Sequence, residues 1–316
     1  MPTAVAPASD LIAAIGNTPM VELRRLAPHD GVRLYAKLEG NNPTGSVKDR
    51  VARAMIESAI TDGSLVPGQT ILEPSSGNTG ISLAMIGSRL GHPVRIVMPD
   101  NTTPEREQIL RLFGAEIVFS PGAEGSNGAI RLAQGLADAD PSVFMPYQYG
   151  NQANPRVHFE TTGPEILAQV PDVDVFVAGL GTGGTLTGVG QYLKRERPGV
   201  RIVAAEPLPG EQVQGLRSLE DGFIPPVLDE SVLDDKFLVN NRDAVIGLRR
   251  LLRDEGIFAG LSCGAAIAVA VRVAREMETG SVVVLLADGG WKYLSADLWN
   301  RDLDELEDEL EGSLLW

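Results

Sequence analysis

Thiols, imidazoles and aromatic rings are scarce in this chain of 316 residues, which has one cysteine, three histidines and 5% aromatics. With Cys263 alone, no internal disulfide can form, and a reducing cytoplasm fits better than an oxidising compartment. His29, His92 and His158 stand far apart, so no metal site is expected and little material remains for a Ser-His-Asp triad. Cations are in deficit too: 27 Lys and Arg against 42 acids leave a formal charge of −15, which argues against nucleic acid or an anionic membrane surface as partner. Much of that charge is local, because residues 297–311 hold eight acids and a single base, Arg301. No run approaches the roughly 20 apolar residues of a membrane span, and the first residues lack a basic segment followed by an apolar core. The chain therefore reads as soluble and cytoplasmic.

Glycine is abundant, with 35 residues, or roughly 11% against a usual value of about 7%. Many lie in short loops of the kind that approach a ligand closely. Between them, β-branched runs alternate with helical periodicity. Strands are expected at 33–38, 70–72, 94–98, 116–119 and 143–145, with helices at 47–60, 79–90, 104–113 and 127–137. A second series places strands at 175–178, 201–205, 237–239 and 281–286, with helices near 185–195, 243–255 and 265–277. Repeated β-α favours two α/β domains, each with a mostly parallel sheet flanked by helices. The polar segment 148–155 is the candidate crossover.

Three segments carry chemistry. In Asn42–Arg50, Pro43 and Gly45 shape a turn and Ser46 can cap a helix that puts Lys48 in its first turn. The positive end of the helix dipole there disfavours an ammonium and frees a neutral amine to attack carbonyls; a solvated lysine is the plain alternative. In Glu73–Gly80, hydroxyls, the Asn78 amide and a helix N-terminus make a place for a carboxylate, or simply a capped strand-to-helix turn. In Gly179–Thr185, glycines let backbone N–H groups converge on a phosphate, without a lysine. A dinucleotide loop is the rival there, with Glu206 as its ribose-binding acid. Together the three point to pyridoxal 5′-phosphate acting on an amino acid.

With Gly16–Pro19 and Gly260–Ala265 added, these ordered motifs resemble the cysteine synthases of the fold-type II pyridoxal-phosphate enzymes, the fold of the tryptophan synthase β subunit, from about Leu11 to Leu294. The resemblance implies residues 41–147 as a smaller mobile domain and residues 1–40 with 148–316 as a larger one that holds the cofactor phosphate. It implies that Lys48 binds the cofactor covalently and then removes the substrate's α-proton. Asn78 would meet the phenolic oxygen, Gly181, Thr182, Gly183, Gly184 and Thr185 the phosphate, and Ser262 the pyridine nitrogen. A hydroxyl need not stabilise a protonated pyridinium, which favours β-elimination over racemisation. Ser75, Ser76, Thr79 and Gln148 would grip the substrate carboxylate. Cys263 is expected to be a small core residue rather than a nucleophile.

The chain departs from acetylserine-using relatives at Gly215–Pro225, a longer segment that carries Arg217. An arginine facing the leaving group suits a phosphate dianion better than an acetyl ester, unless it pairs on the surface with Glu220 or Asp221. The resemblance is accordingly closest to the O-phosphoserine-dependent branch, which implies β-replacement on O-phospho-L-serine through an aminoacrylate to give L-cysteine. Acetylserine sulfhydrylase or cystathionine β-synthase activity is the runner-up, followed by a serine/threonine dehydratase and a non-catalytic paralogue. Sulfide, thiosulfate or a thiocarboxylated small carrier protein would serve as sulfur donor, and a homodimer is implied. In the acidic tail, 297–316, helically spaced leucines precede an apolar end at 312–316, which is expected to lie across the active-site mouth as a lid. Packing on the subunit's own surface or at a dimer interface is the plain alternative, and a frayed terminus the third.

Overall fold

A computed structural model describes residues 8–304, apart from Ser76 and Gln212; the expected lid at 312–316 lies outside the described residues. The first sheet-forming runs are β1 (Met20–Glu22) and β2 (Val32–Leu38), followed by α1 (Lys48–Asp62). Then come β3 (Thr70–Pro74), α2 (Asn78–Leu90), β4 (Val94–Pro99), α3 (Pro104–Leu112), β5 (Glu116–Ser120), α4 (Gly125–Ala139) and β6 (Val143–Phe144). The remainder runs α5 (Ala153–Val157), α6 (Gly163–Gln169), β7 (Val175–Gly179), α7 (Gly184–Glu196), β8 (Arg201–Pro207), β9 (Asp235–Val239), α8 (Asn241–Glu255), α9 (Leu261–Glu276) and β10 (Gly280–Leu286).

The strands form two sheets, a parallel one ordered β5-β4-β3-β6 and a six-stranded one ordered β1-β2-β10-β7-β8-β9. Among the strand pairs of the described residues, only β1–β2 is antiparallel. Helices cover both faces of each sheet. Leu248 and Ile267 pack with Val203 and Val282 on one side of the larger sheet, while Leu186 and Val189 meet Phe176 and Ile202 on the other. Met55 and Ile86 cover Ile71 and Ile96 of the smaller sheet, and Ala129 and Ala133 cover Leu72 and Val97. Central strands buried on both faces read as unbroken apolar runs, which is why Ser281–Leu286 was legible as a strand.

Two features escaped the sequence pattern. β1 has three residues and no alternation to detect. The stretch α5–α6, joined by a π turn at His158–Thr162, contains Pro155 and Pro164, which suggest a loop; Pro164 in fact opens α6, where a proline's missing N–H costs nothing.

The Gly16–Pro19 motif builds a buried ionic cluster. Gly16 (φ +96°) and Asn17 (φ +48°) turn so that the Asn17 N–H donates to Glu165 at 2.9 Å. Arg50 forks between two carboxylates, reaching Glu39 at 2.8 and 2.9 Å and Glu165 at 2.7 and 2.7 Å, and Lys37 adds a contact to Glu165 at 2.8 Å. Burial alone would raise the Glu165 carboxyl, yet the hydrogen bonds and charge of Arg50 hold it at about 2. A carboxylate depressed in the folded state contributes stability that is present above its unfolded value and lost as pH falls through the folded one. This contribution should therefore fade between about pH 4.5 and 2. Arg50→Lys keeps the charge and loses the fork; it should cost about 2 kcal/mol in urea unfolding at pH 7, and an unchanged midpoint would contradict the account.

Candidate active site

Three parallel strands, β3, β7 and β10, end around one cavity of about 220 Å³, in the position that open α/β sheets give their ligands. Lys48, Ser75, Asn78, Thr79, Gln148, Gly181, Thr182, Arg217 and Ser262 line it. Gly183 and Thr185 line an adjoining recess that shares Lys48, Gly181 and Ser262. Gly184 is set back: a Cβ there would fall 2.1 Å from Asn154 Oδ1. Ser76 lies outside the described residues.

Helix α1 begins at Lys48 itself, and the Ser46 hydroxyl accepts the Lys48 N–H at 3.3 Å. Burial pushes the Lys48 ammonium below its ordinary value, against the pull of Asp288 and Glu39. The buried Lys292, by contrast, is already committed: its ammonium donates to Asn78 Oδ1 at 2.6 Å and to the Gly45 carbonyl at 3.2 Å. Asn78 Nδ2 in turn donates to Asp288 at 2.8 Å, and the Tyr293 hydroxyl meets the same carboxylate oxygen at 2.8 Å. This network fixes which end of the Asn78 amide carries the hydrogens.

The Ser75 hydroxyl accepts the Gly77 and Gly80 N–H groups at 3.3 and 3.0 Å, so it caps α2 from the strand side. Thr79 donates to Gln148 Oε1 at 2.7 Å. In the loop after β7, Gly183 adopts φ +83°, and a Cβ on Gly181 would sit 2.8 Å from the Gly215 carbonyl. Thr182 Oγ1 accepts from Asn154 at 3.1 Å, and Thr185 Oγ1 lies 3.2 Å from His158 Nε2. Burial, together with the charges of Arg50 and Lys48, keeps that imidazole neutral by holding its pKa well below the usual value.

Ser262 stands at the start of α9 facing the cavity, whereas its neighbour Cys263 is fully buried beside the Asp288 carbonyl. Burial pushes that thiol up to about 12, which keeps it protonated and unreactive. Glu206 accepts from Ser218 and from the Leu219 N–H at 2.7 Å, and thus holds the Arg217 loop rather than a ribose. Arg217 lies over the rings of Phe223 (4.9 Å) and Tyr149 (5.5 Å) and reaches Asn127 at 3.3 Å. No carboxylate among the described residues pairs with it, although the side chain of Asp221 is not described. Asp288, Lys292, His158 and Asn154 were missed from sequence. The one usable signal was Asp288, an acid directly after the β10 run.

Residues 11–289 match the family of pyridoxal-phosphate dependent enzymes. A cysteine synthase of Staphylococcus aureus (strain Mu50 / ATCC 700699) is 44% identical over 306 residues, covering 94% of this chain and 98% of the relative. Among solved structures, O-ureido-L-serine synthase superposes with a TM-score of 0.87 at 42% identity, over 92% of this chain and 95% of that one. Cysteine synthase (OASS) from Entamoeba histolytica gives a TM-score of 0.87 at 34% identity, over 99% of both chains. A match that spans both sheets and every strand end around the cavity leaves one conclusion: the chain belongs to the pyridoxal-phosphate dependent enzyme family.

Proposed function

We propose that this enzyme replaces the phosphate of O-phospho-L-serine with a sulfur nucleophile to give L-cysteine. The observation that carries the reading is Arg217, a guanidinium stacked on two rings, lining the cavity with no described carboxylate to neutralise it. Such a group suits a leaving phosphate, which takes two parallel hydrogen bonds from the planar fork.

The donor set fits pyridoxal 5′-phosphate: a lysine with a lowered pKa opens on the cavity, and the loop after β7 presents backbone too tightly packed for any Cβ at Gly181. Gly181 to Thr185 would hold its phosphate, with Gly184 contributing backbone from behind, Ser262 its pyridine nitrogen and Asn78 its phenolic oxygen. When bound, the cofactor supplies an electron sink for the substrate's Cα. Ser75, Ser76, Thr79 and Gln148 orient the substrate through its carboxylate, the Lys48 amine takes the Cα proton, and Arg217 carries the charge of the departing phosphate. The part of the chain within 41–147 closes when the carboxylate is gripped and excludes water.

Gly181→Ala should weaken cofactor binding roughly tenfold, since overpacking typically costs about 1–3 kcal/mol and about 1.4 kcal/mol is tenfold. Titrating apoprotein with cofactor measures it, and an unchanged affinity would remove this loop from the site. The function itself is tested by comparing kcat/KM for O-phosphoserine and O-acetylserine. Preference for the acetyl ester would support acetylserine sulfhydrylase activity, the second reading, favoured by the likeness to the Entamoeba histolytica enzyme.

A further inference from the structure

Glu73 is a fully buried carboxylate with no cation against it. It lies near the end of β3, two residues before Ser75, and accepts two backbone N–H groups, Tyr147 at 2.8 Å and Gln148 at 3.0 Å. Tyr147 holds φ +55°, a left-handed conformation that a tyrosine rarely adopts unless its surroundings impose it. Beyond this turn, Gln148 Oε1 accepts from Thr79 at 2.7 Å, and the Gln148 carbonyl accepts from Asn154 at 2.9 Å. The same Asn154 nitrogen reaches Thr182. A single turn thereby joins the loop after β3 to the loop after β7, and Glu73 fastens it from below.

Stability alone does not call for an acid here. Burying a carboxylate without a counter-ion is unfavourable, and what it gains in return is acceptance of two backbone N–H groups at once, which an amide could match at only one. We propose that ionised Glu73 is a positioning residue, whose two oxygens hold the Tyr147–Gln148 turn in the strained shape that presents the Gln148 amide to the substrate carboxylate. The proposal rests on the reading that Thr79 and Gln148 bind that carboxylate. Burial pushes the Glu73 carboxyl up to about 7, so the fastening is complete above neutrality and released as a proton replaces one N–H acceptor below it. The titratable groups facing Glu73 are the Tyr147 and Tyr149 phenols, both raised above their ordinary value by burial and therefore uncharged across this range.

The test uses holoenzyme and L-serine, a probe with no side-chain charge of its own, and reads its dissociation constant from the cofactor absorbance. Wild-type affinity should weaken between pH 8 and 6 at least fivefold more than that of Glu73→Gln, a comparison that cancels the pH dependence of the serine amine itself. Glu73→Gln should bind L-serine about tenfold more weakly at pH 8, with kcat changed less than threefold. A merely structural role would lower the melting temperature and leave this difference between the two pH profiles at zero. Gln148→Ala should also weaken binding, which checks the underlying reading. Weak binding in Gln148→Ala with wild-type behaviour in Glu73→Gln overturns the positioning role alone, whereas wild-type binding in both overturns the carboxylate site and the role with it. Should Glu73→Gln fail to fold, the wild-type pH dependence decides, because between pH 8 and 6 it must exceed that of Gln148→Ala at least fivefold, and equal dependence overturns the positioning role.

Discussion

Lys48→Ala protein is expected to lack the absorption band of covalently held cofactor and to lose at least about 10³-fold in kcat, within the range that a removed general base produces. The expectation follows from the unequal situations of two lysines, Lys48 half-buried and Lys292 buried. Lys292 spends its ammonium on Asn78 and the Gly45 carbonyl, while Lys48 opens on both the cavity and its recess and has no hydrogen-bond partner for its amine among the described residues. A lowered pKa enlarges the neutral fraction of the amine near pH 7, so proton removal should strengthen as pH rises through that value. Borohydride reduction of the wild type followed by peptide mapping should place the cofactor on Lys48. A label on Lys292, or normal turnover of Lys48→Ala, would contradict the assignment.

Arg217→Ala is expected to lower kcat/KM for O-phosphoserine by on the order of 2–4 kcal/mol, or roughly 30- to 1,000-fold, because an ion-paired hydrogen-bonding partner is removed inside a closed site. Use of O-acetylserine should change by less than about threefold, since a neutral ester makes no such pair. The ring contacts with Tyr149 and Phe223 act on the free enzyme by holding the guanidinium in place before substrate arrives. Equal losses with both substrates would make the loop structural and restore the acetylserine reading.

The segments that bring residues to the cavity where a strand gives way to a helix were legible, because turn chemistry is written locally: the segments around Lys48, Ser75 with Thr79, and Gly181 with Thr185 each combine glycine or hydroxyl residues with the end of an apolar run. The strands themselves were legible for the same reason, to within a residue or two. What sequence could not supply was contact across long separations. Asn78 and Lys292 are 214 positions apart, Asn78 and Asp288 are 210 apart, and Glu73 meets the Tyr147 and Gln148 N–H groups across 74 and 75. No local periodicity records such meetings, so the groups that orient the site stayed hidden while the groups that form it did not. The helix start drew attention to Lys48 from sequence, whereas the burial that lowers its pKa is written in the fold.

The place of Lys48 has a mechanical consequence. Helix α1 packs through Val51, Met55 and Ile56 into the core under the smaller sheet, while the Val47 N–H beside it donates to the Ala287 carbonyl at the end of β10 in the larger one. A cofactor held as proposed, by Lys48 and by the loop after β7, would be a removable staple between two halves that share no disulfide. Its covalent end would then set when the halves are tied and when they are free to part.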